Sequence, residues 1–333
     1  MSTNALNPNN INILDRTRLE DGIDNLRGYF RNLVKYDIHK ALELVNDEKL
    51  HFSSLYVLRF EIAGFGLTSH LSRRNRKALN FINGITAKRK TDTWCLIHSQ
   101  NSTYYPVLKW ILETGCTDDG LSDRYNEILE LTASMLTKYY KDSSVLPIIV
   151  DMIFKRYRKG LFIHHLAWAF FEVQNPDSLL LIANYMRSAE SKDVELACKL
   201  LSFIPHIQTE GNTDMMRTYY NVIYWIQENL KFLNYTGESF HHTARPLTYV
   251  ISRDAKYLCK PVAAIEKRQI ENFSEDEKKL LAPFKELEPE TRTLLSECSY
   301  HLYRRNYESW NIWIHYPITE QIKTARLMTG GLA

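Results

Sequence analysis

The sequence predicts an all-α protein with repeated helical hairpins near its centre. Three observations carry that expectation. Only 12 glycines and 10 prolines punctuate 333 residues, which favours long helices over runs of tight turns. Apolar residues recur every three to four positions through most of the chain, the period of a helix with one buried face. Finally, first helices are expected to begin near Ser144 and Asp177 and second helices near Gly160 and Asp193, both pairs 33 residues apart. Equal offsets of that size are the mark of a repeating hairpin.

Taken in order, residues 1–14 read as a flexible arm, polar and rich in Asn at its start. Asp15 is the expected cap of a helix reaching about Tyr36, with Leu19, Ile23, Leu26, Phe30, Leu33 and Val34 at helical spacing. Asp37 caps a second helix carrying Ile38, Ala41, Leu42 and Val45. Ser53 or Ser54 opens a third, which stops at Gly64-Phe65-Gly66, and Ser69 opens a fourth, stopped by Gly84. Shorter helices are expected over 92–99 and 105–114, and one long helical pattern fills 122–140. The hairpin helices then follow: 144–158, 161–173, 178–189 and 194–204. Segment 161–173 is apolar almost all round, which fits a helix held between neighbours. After Gly211 one long helix runs to Phe232, so the repeat fades there.

From residue 234 the character changes. Gly237, Pro246 and Pro261 make 235–261 a loop-rich crossing segment with room for one short helix. Ser274-Glu275-Asp276-Glu277 is a capping-box pattern leading into 278–284. Pro289 suits the first turn of a helix to about Asn306, and Pro317 precedes a last short helix. The expected division is therefore an arm at 1–14, a helical region at 15–233, and C-terminal helices packed on the body at 234–333.

One stretch resembles a known family. In Asp193-Val194-Glu195-Leu196-Ala197-Cys198-Lys199-Leu200-Leu201, the residues Asp193, Val194, Ala197 and Leu201 match the second helix of a HEAT-type repeat. Pro176 suits the position before the first helix, whereas Glu195 departs from the family's usual Arg. The resemblance covers 176–204, about one repeat. It implies a HEAT-like helical hairpin array, an α-solenoid in which neighbouring hairpins cover one another's apolar faces, with a C-terminal helical extension. It further implies a concave surface that engages a macromolecule.

The net charge is only +3, too mild to argue for nucleic acid by itself. The charge is uneven, however. Residues 65–91 hold no Asp or Glu but seven cations: Arg73, Arg74, Arg76, Lys77, Lys88, Arg89 and Lys90. Lys155, Arg156, Arg158 and Lys159 form a second cluster around Tyr157. Such groups suit phosphates, and Tyr104, Tyr105 and Tyr157 suit base stacking. Cations at a helix C-terminus also meet the helix dipole with no ligand at all. Asp118, Asp119, Asp123, Glu127 and Glu130 make a locally acidic stretch. Trp310 and Trp313 lie on one side of a helix, among Tyr300, Tyr303, Tyr307 and Tyr316. Packed, they fix that segment to the body; exposed, they are an interaction surface.

Five cysteines with no CxxC pair suit free thiols in a reducing compartment. No apolar leader opens the chain and no apolar run reaches membrane-spanning length. The expected location is cytoplasmic, without membrane insertion. No phosphate-loop, dinucleotide, HExxH or GxSxG pattern occurs, and no cofactor is expected. Cys95 and His98 share a helical spacing, and His241, His242 and Cys259 are candidates to converge, but no second close pair completes a zinc pattern. No metal is expected. The leading function is a non-enzymatic binding or scaffolding protein whose partner is another protein. One alternative is a sequence-tolerant RNA or DNA binder using the basic clusters. Another is an enzyme with a helical pocket near His164, His165 and Glu172, where burial would raise the carboxyl's pKa as a general acid requires. The favoured explanation of those residues is a buried His–Glu hydrogen bond, or a Glu at the helix end reaching water, and Glu61 reads the same way.

Overall fold

The computed structural model describes residues 11–86, 103–205, 207, 214–262 and 273–330. The described residues form seventeen α-helices and one short pair of strands. The chain divides into two compact units, residues 1–173 and 174–333. The change of composition at residue 234 lies inside the second unit. The helix expected over 92–99, Lys88, Arg89, Lys90, Cys95 and His98 lie outside the described residues, as does most of the N-terminal arm.

The first unit opens with α1 (Ile13–Glu20) and α2 (Ile23–Tyr36), not the single helix expected. Gly22, at φ +93°, breaks the run. The cap is Asn12 rather than Asp15: its side chain accepts the Leu14 N–H at 2.8 Å and donates to the Leu44 carbonyl at 2.9 Å. Leu14 is fully buried, so residues 12–14 belong to the folded body. On α2, Leu26, Phe30 and Val34 fall one turn apart and form the inner stripe. Asp37 caps α3 (Ile38–Asn46) through the Lys40 N–H, as expected.

Helix α4 (Phe52–Gly64) is buried at every position from Phe52 to Leu58 because α1, α2, α5 (Arg73–Thr86) and α6 (Tyr105–Gly115) all pack against it. Phe52 is stacked on Tyr125 with ring centroids 5.6 Å apart and meets Trp110 edge-on at 5.8 Å. Fully burying one such side chain contributes roughly 1.5–3 kcal/mol. Close approach is possible because residue 115 is glycine. A Cβ there would lie 2.8 Å from the Tyr125 hydroxyl and 3.1 Å from the Phe52 ring. Ser122 caps α7 (Asp123–Lys138), which packs with α6 and with α9 (His164–Glu172); α9 also contacts α8 (Leu146–Arg158).

Two connectors repeat. Lys141 (φ 50°) and Gln174 (φ 61°) are both left-handed. After each comes a polar cap: Asp142 accepts the Ser144 N–H at 2.9 Å, and Asn175 accepts the Asp177 N–H at 3.1 Å. A single 3-10 turn follows, Ser143–Val145 or Pro176–Ser178, and then an α-helix from Leu146 or Leu179. Every step recurs at an offset of 33 residues, from 141 to 174 and from 146 to 179. The second helices do not keep that offset: they begin at His164 and Ser191, 27 residues apart.

In the second unit, α10 (Leu179–Ala183) is shorter than the expected helix over 178–189, because the chain tightens into a 3-10 turn at Asn184–Arg187. Helix α11 (Ser191–Leu200) starts ahead of Asp193, which is buried and accepts the Ser188 hydroxyl at 2.7 Å. Asp214 caps α12 (Met215–Asn229). The stretch read as loop-rich contains an antiparallel pair, β1 (Leu233–Tyr235) and β2 (Tyr249–Ile251), with Leu233 opposite Ile251. Helix α13 (Arg253–Tyr257) follows, then α14 (Glu275–Lys285) with the expected Ser274–Glu277 capping box. Helices α15 (Pro289–Arg305), α16 (Tyr307–Trp313) and α17 (Ile318–Gly330) complete the chain. Tyr257, Phe284, Leu295, Trp313, Ile314 and Ala325 join in one core, where Tyr257 stacks on Phe284 at 4.2 Å.

Candidate interaction surfaces

In the first unit, much of the basic sequence is used internally. Arg74 reaches back to the end of α3 and donates to the carbonyls of Glu48 at 2.7 Å and Asp47 at 2.8 Å. Its guanidinium lies over the Trp110 ring, 4.2 Å from the centroid. Lys77 donates to the Thr103 carbonyl at 2.9 Å and sits over Tyr104; desolvation, then Arg73, pushes its pKa down. Arg73 and Arg76 stand exposed on α5.

The second cluster divides the same way. Arg156 is only 3% exposed. It donates twice to Asp119, at 2.7 and 2.6 Å, and also to Glu130. It is therefore an internal clamp between α7, α8 and the turn before Ser122, and not a contact for a polyanion. Lys155 pairs with Asp151 at 2.6 Å along α8. Arg158 and Lys159 are exposed at the helix end beside exposed Leu161 and Phe162.

His164 and His165 begin α9 and Glu172 ends it. His165 is exposed with the Phe162 ring 5.4 Å away, and Glu172 is the last residue of α9, about 10 Å further along the axis. Glu61 is buried on α4 and takes the Arg31 guanidinium at 2.8 Å, with Arg27 at 3.8 Å.

The most interconnected polar site in this unit was missed from sequence. Asp15 is fully buried and accepts the Ser54 hydroxyl at 2.6 Å and the His51 N–H at 2.9 Å. Burial pushes its pKa up against those two hydrogen bonds. Arg18 donates to Ser54 at 3.0 Å and bonds Asp118. Asp118 also accepts the Ser53 hydroxyl at 2.6 Å, and Ser53 shares a hydrogen bond with Tyr125. These groups tie α1, α4 and α7 together, and each buried charge has an opposite charge beside it. Such a network specifies packing. The acid 100 residues away in sequence gave no local signal.

The second unit presents the opposite picture. Met216, Tyr220 and Tyr224 are spaced one turn apart on α12, and the two tyrosines are 61% and 59% exposed. Arg304 on α15 bonds Glu228 on α12 and lies within electrostatic range of Tyr224. Tyr303 and Tyr307 are exposed next to it. Their rings pack with Trp310, Tyr303 at 5.2 Å and Tyr307 at 5.6 Å. Trp310 is half-buried and donates its indole N–H to Ser299 at 2.8 Å. Trp313 is buried in the C-terminal core, so it is a packing residue and not an interaction aromatic. The exposed stripe on α12 was readable in the four-residue spacing of Met216, Tyr220 and Tyr224; the density of aromatics after Tyr300 drew attention away from it.

Among the described residues, no cluster of His, Cys, Asp or Glu has metal-ligand geometry, and no helix is long and apolar enough to cross a membrane. Cys116, Cys198, Cys259 and Cys298 are free. Burial pushes the Cys116 and Cys298 thiols up to about 11 and the Cys259 thiol to about 12, so they stay protonated at neutral pH. No family model, curated protein or solved structure matches the chain.

Proposed function

We propose that this chain is a non-enzymatic binding protein that docks another protein on the aromatic face of its second unit. The observation that carries the reading is the exposed Met216–Tyr220–Tyr224 stripe alongside Tyr303, Tyr307 and Arg304. Tyrosine and arginine are enriched in binding hot spots, tyrosine because it buries much area while losing few rotamers and arginine because its planar fork makes several directed hydrogen bonds. Tyr220 and Tyr224 meet water although α12 has a buried face of its own in Thr218, Val222 and Ile226, so the helix does not need them for packing. The Arg304–Glu228 pair holds α12 and α15 in register beneath the stripe. A HEAT-like stacking of hairpins belongs to the same reading and is supported by the repeated connectors at 141–146 and 174–179.

The test places a photo-crosslinking residue at position 220 or 224 and expresses the protein in its native cells. The expected result is the same discrete protein adduct from both positions. It should be absent from a probe at Lys323, on the exposed side of α17, and from a Tyr307→Ala background. Equal labelling from all three probes would overturn the reading.

A further inference from the structure

We infer that the outer side of α2, together with the end of α4, binds single-stranded nucleic acid through a row of cations beside an exposed phenyl ring. The proposal is independent of the protein-docking reading and uses the other unit.

Arg27, Arg31 and Lys35 fall at four-residue spacing on α2, so they share one face at steps of about 6 Å. Arg31 and Lys35 are exposed and Arg27 is about one-third exposed. On α4, Arg59 lies over the rings of Tyr56 and Phe60, 3.8 and 4.1 Å from their centroids. Glu61, buried between the helices, is approached by Arg27 and Arg31 and lies within electrostatic range of Arg59. One buried carboxylate thus serves three guanidiniums. Asp24 is the other acid at the site, 3.7 Å from Arg27 and itself fully in water. Cationic charge is left over.

That surplus is under strain. Burial, followed by repulsion from Arg27, pulls the Arg59 pKa down. The Arg27 Nε is buried with no hydrogen-bond partner, as is the Glu61 Oε2. Both atoms are sealed from solvent, so a ligand meets instead the exposed Arg31 and Lys35 and the outer part of Arg27. Two features choose the class of anion. Cations repeated along a helix suit a ligand with repeated charges better than a single phosphate. Phe60 is 65% exposed on the helix carrying Arg59, and it offers a flat apolar face, which a base can stack on.

The experiment is fluorescence anisotropy of the full chain with a labelled oligouridylate of about 12 nucleotides, titrated at roughly 50 and 200 mM salt. With about three phosphates neutralised, affinity should fall about 20-fold across that range. Arg31→Gln and Arg59→Gln should each flatten the logarithmic salt slope by about 0.7. Phe60→Ala should weaken binding about tenfold with little change in slope. Arg31→Gln strips a partner from buried Glu61 and risks the fold, so Lys35→Gln, at the exposed end of the row, is read in parallel. Absence of binding at the lower salt would overturn the proposal. So would an unchanged slope in Lys35→Gln, unchanged affinity in Phe60→Ala, or polyglutamate competing as well as unlabelled uridylate.

Discussion

Two residue-dense regions stand out in this sequence, one cationic and one aromatic, and the fold divides each between inside and outside by different means. Within the cationic runs of the first unit, Arg156 is clamped by Asp119 and Glu130 and Arg74 caps α3 over Trp110, while Arg73, Arg76, Arg158 and Lys159 stay exposed. The aromatic residues of the second unit are divided as well, by packing rather than by charge. Trp313 and Tyr257 form core, while Tyr220, Tyr224 and Tyr307 remain in water. A run of like residues therefore does not mark a surface. What decides is whether the folded chain brings a complementary group within reach. The acidic stretch at 118–130 supplies partners for Arg18 and Arg156, whereas Tyr220 and Tyr224 on α12 stay exposed among the described residues.

The sharpest way to break the comparison is at Arg156. Arg156→Ala leaves Asp119 and Glu130 half-desolvated and should cost about 3–5 kcal/mol in urea unfolding. Arg158→Ala, two residues on and exposed, should change stability by less than about 0.5 kcal/mol. Equal effects would show that Arg156 is an ordinary surface cation. Next in size is Gly115→Ala, whose Cβ would press on Tyr125 and Phe52. Overpacking there should cost about 1–3 kcal/mol, seen as a lowered melting midpoint. Tyr220→Ser with Tyr224→Ser should leave that midpoint within the surface range of about 0.5 kcal/mol per site, because neither ring packs the core.

A pH-dependent effect sits at the start of α14. Ser274→Ala removes a cap and should cost about 1 kcal/mol. Its companion Glu277 is partly desolvated, which alone would raise its pKa. Hydrogen bonds from Lys260 and Ser274 outweigh that and hold the carboxyl below the usual range. A depressed folded pKa means that Glu277 stabilises the native state above its unfolded value near 4.3 and stops doing so as pH falls through the folded value. Glu277→Gln should therefore flatten the acid limb of the stability curve and leave its sensitivity above pH 6 unchanged.

Local chemistry was legible in the sequence. The Ser274 box, Pro289 at the start of α15 and the Asp37 cap were all readable, because each depends on a few neighbouring residues; of the expected 33-residue spacing, the first helices keep it and the second do not. Long-range pairing was not. Nothing near Arg18 announces Asp118, and nothing near Asp15 announces Ser54, so Asp15 read as a helix cap although Asn12 does that work. The sites followed the same division. Arg73 and Arg76 are exposed as their helical spacing suggests, whereas Arg74, Lys77 and Arg156 were taken for surface because their partners lie 26 to 37 residues away. The row Arg27–Arg31–Lys35 was visible as a spacing. In the linear sequence Asp21 and Asp24 dilute its charge.

The paired connectors have a practical meaning. Lys141 to Leu146 and Gln174 to Leu179 have different side chains but follow one backbone path, so they behave as interchangeable parts. Glycine is the residue that normally occupies a left-handed position, and neither copy uses it. In the first copy the reason is visible: the Lys141 ammonium reaches the last carbonyl of α9, donating to Glu172 at 2.6 Å. A graft of the second connector into the first place would keep the turn and lose that tether. The route of the chain and the fastening of its neighbour would then be separated, which makes this joint a place where an engineer can loosen one helix without redirecting the next.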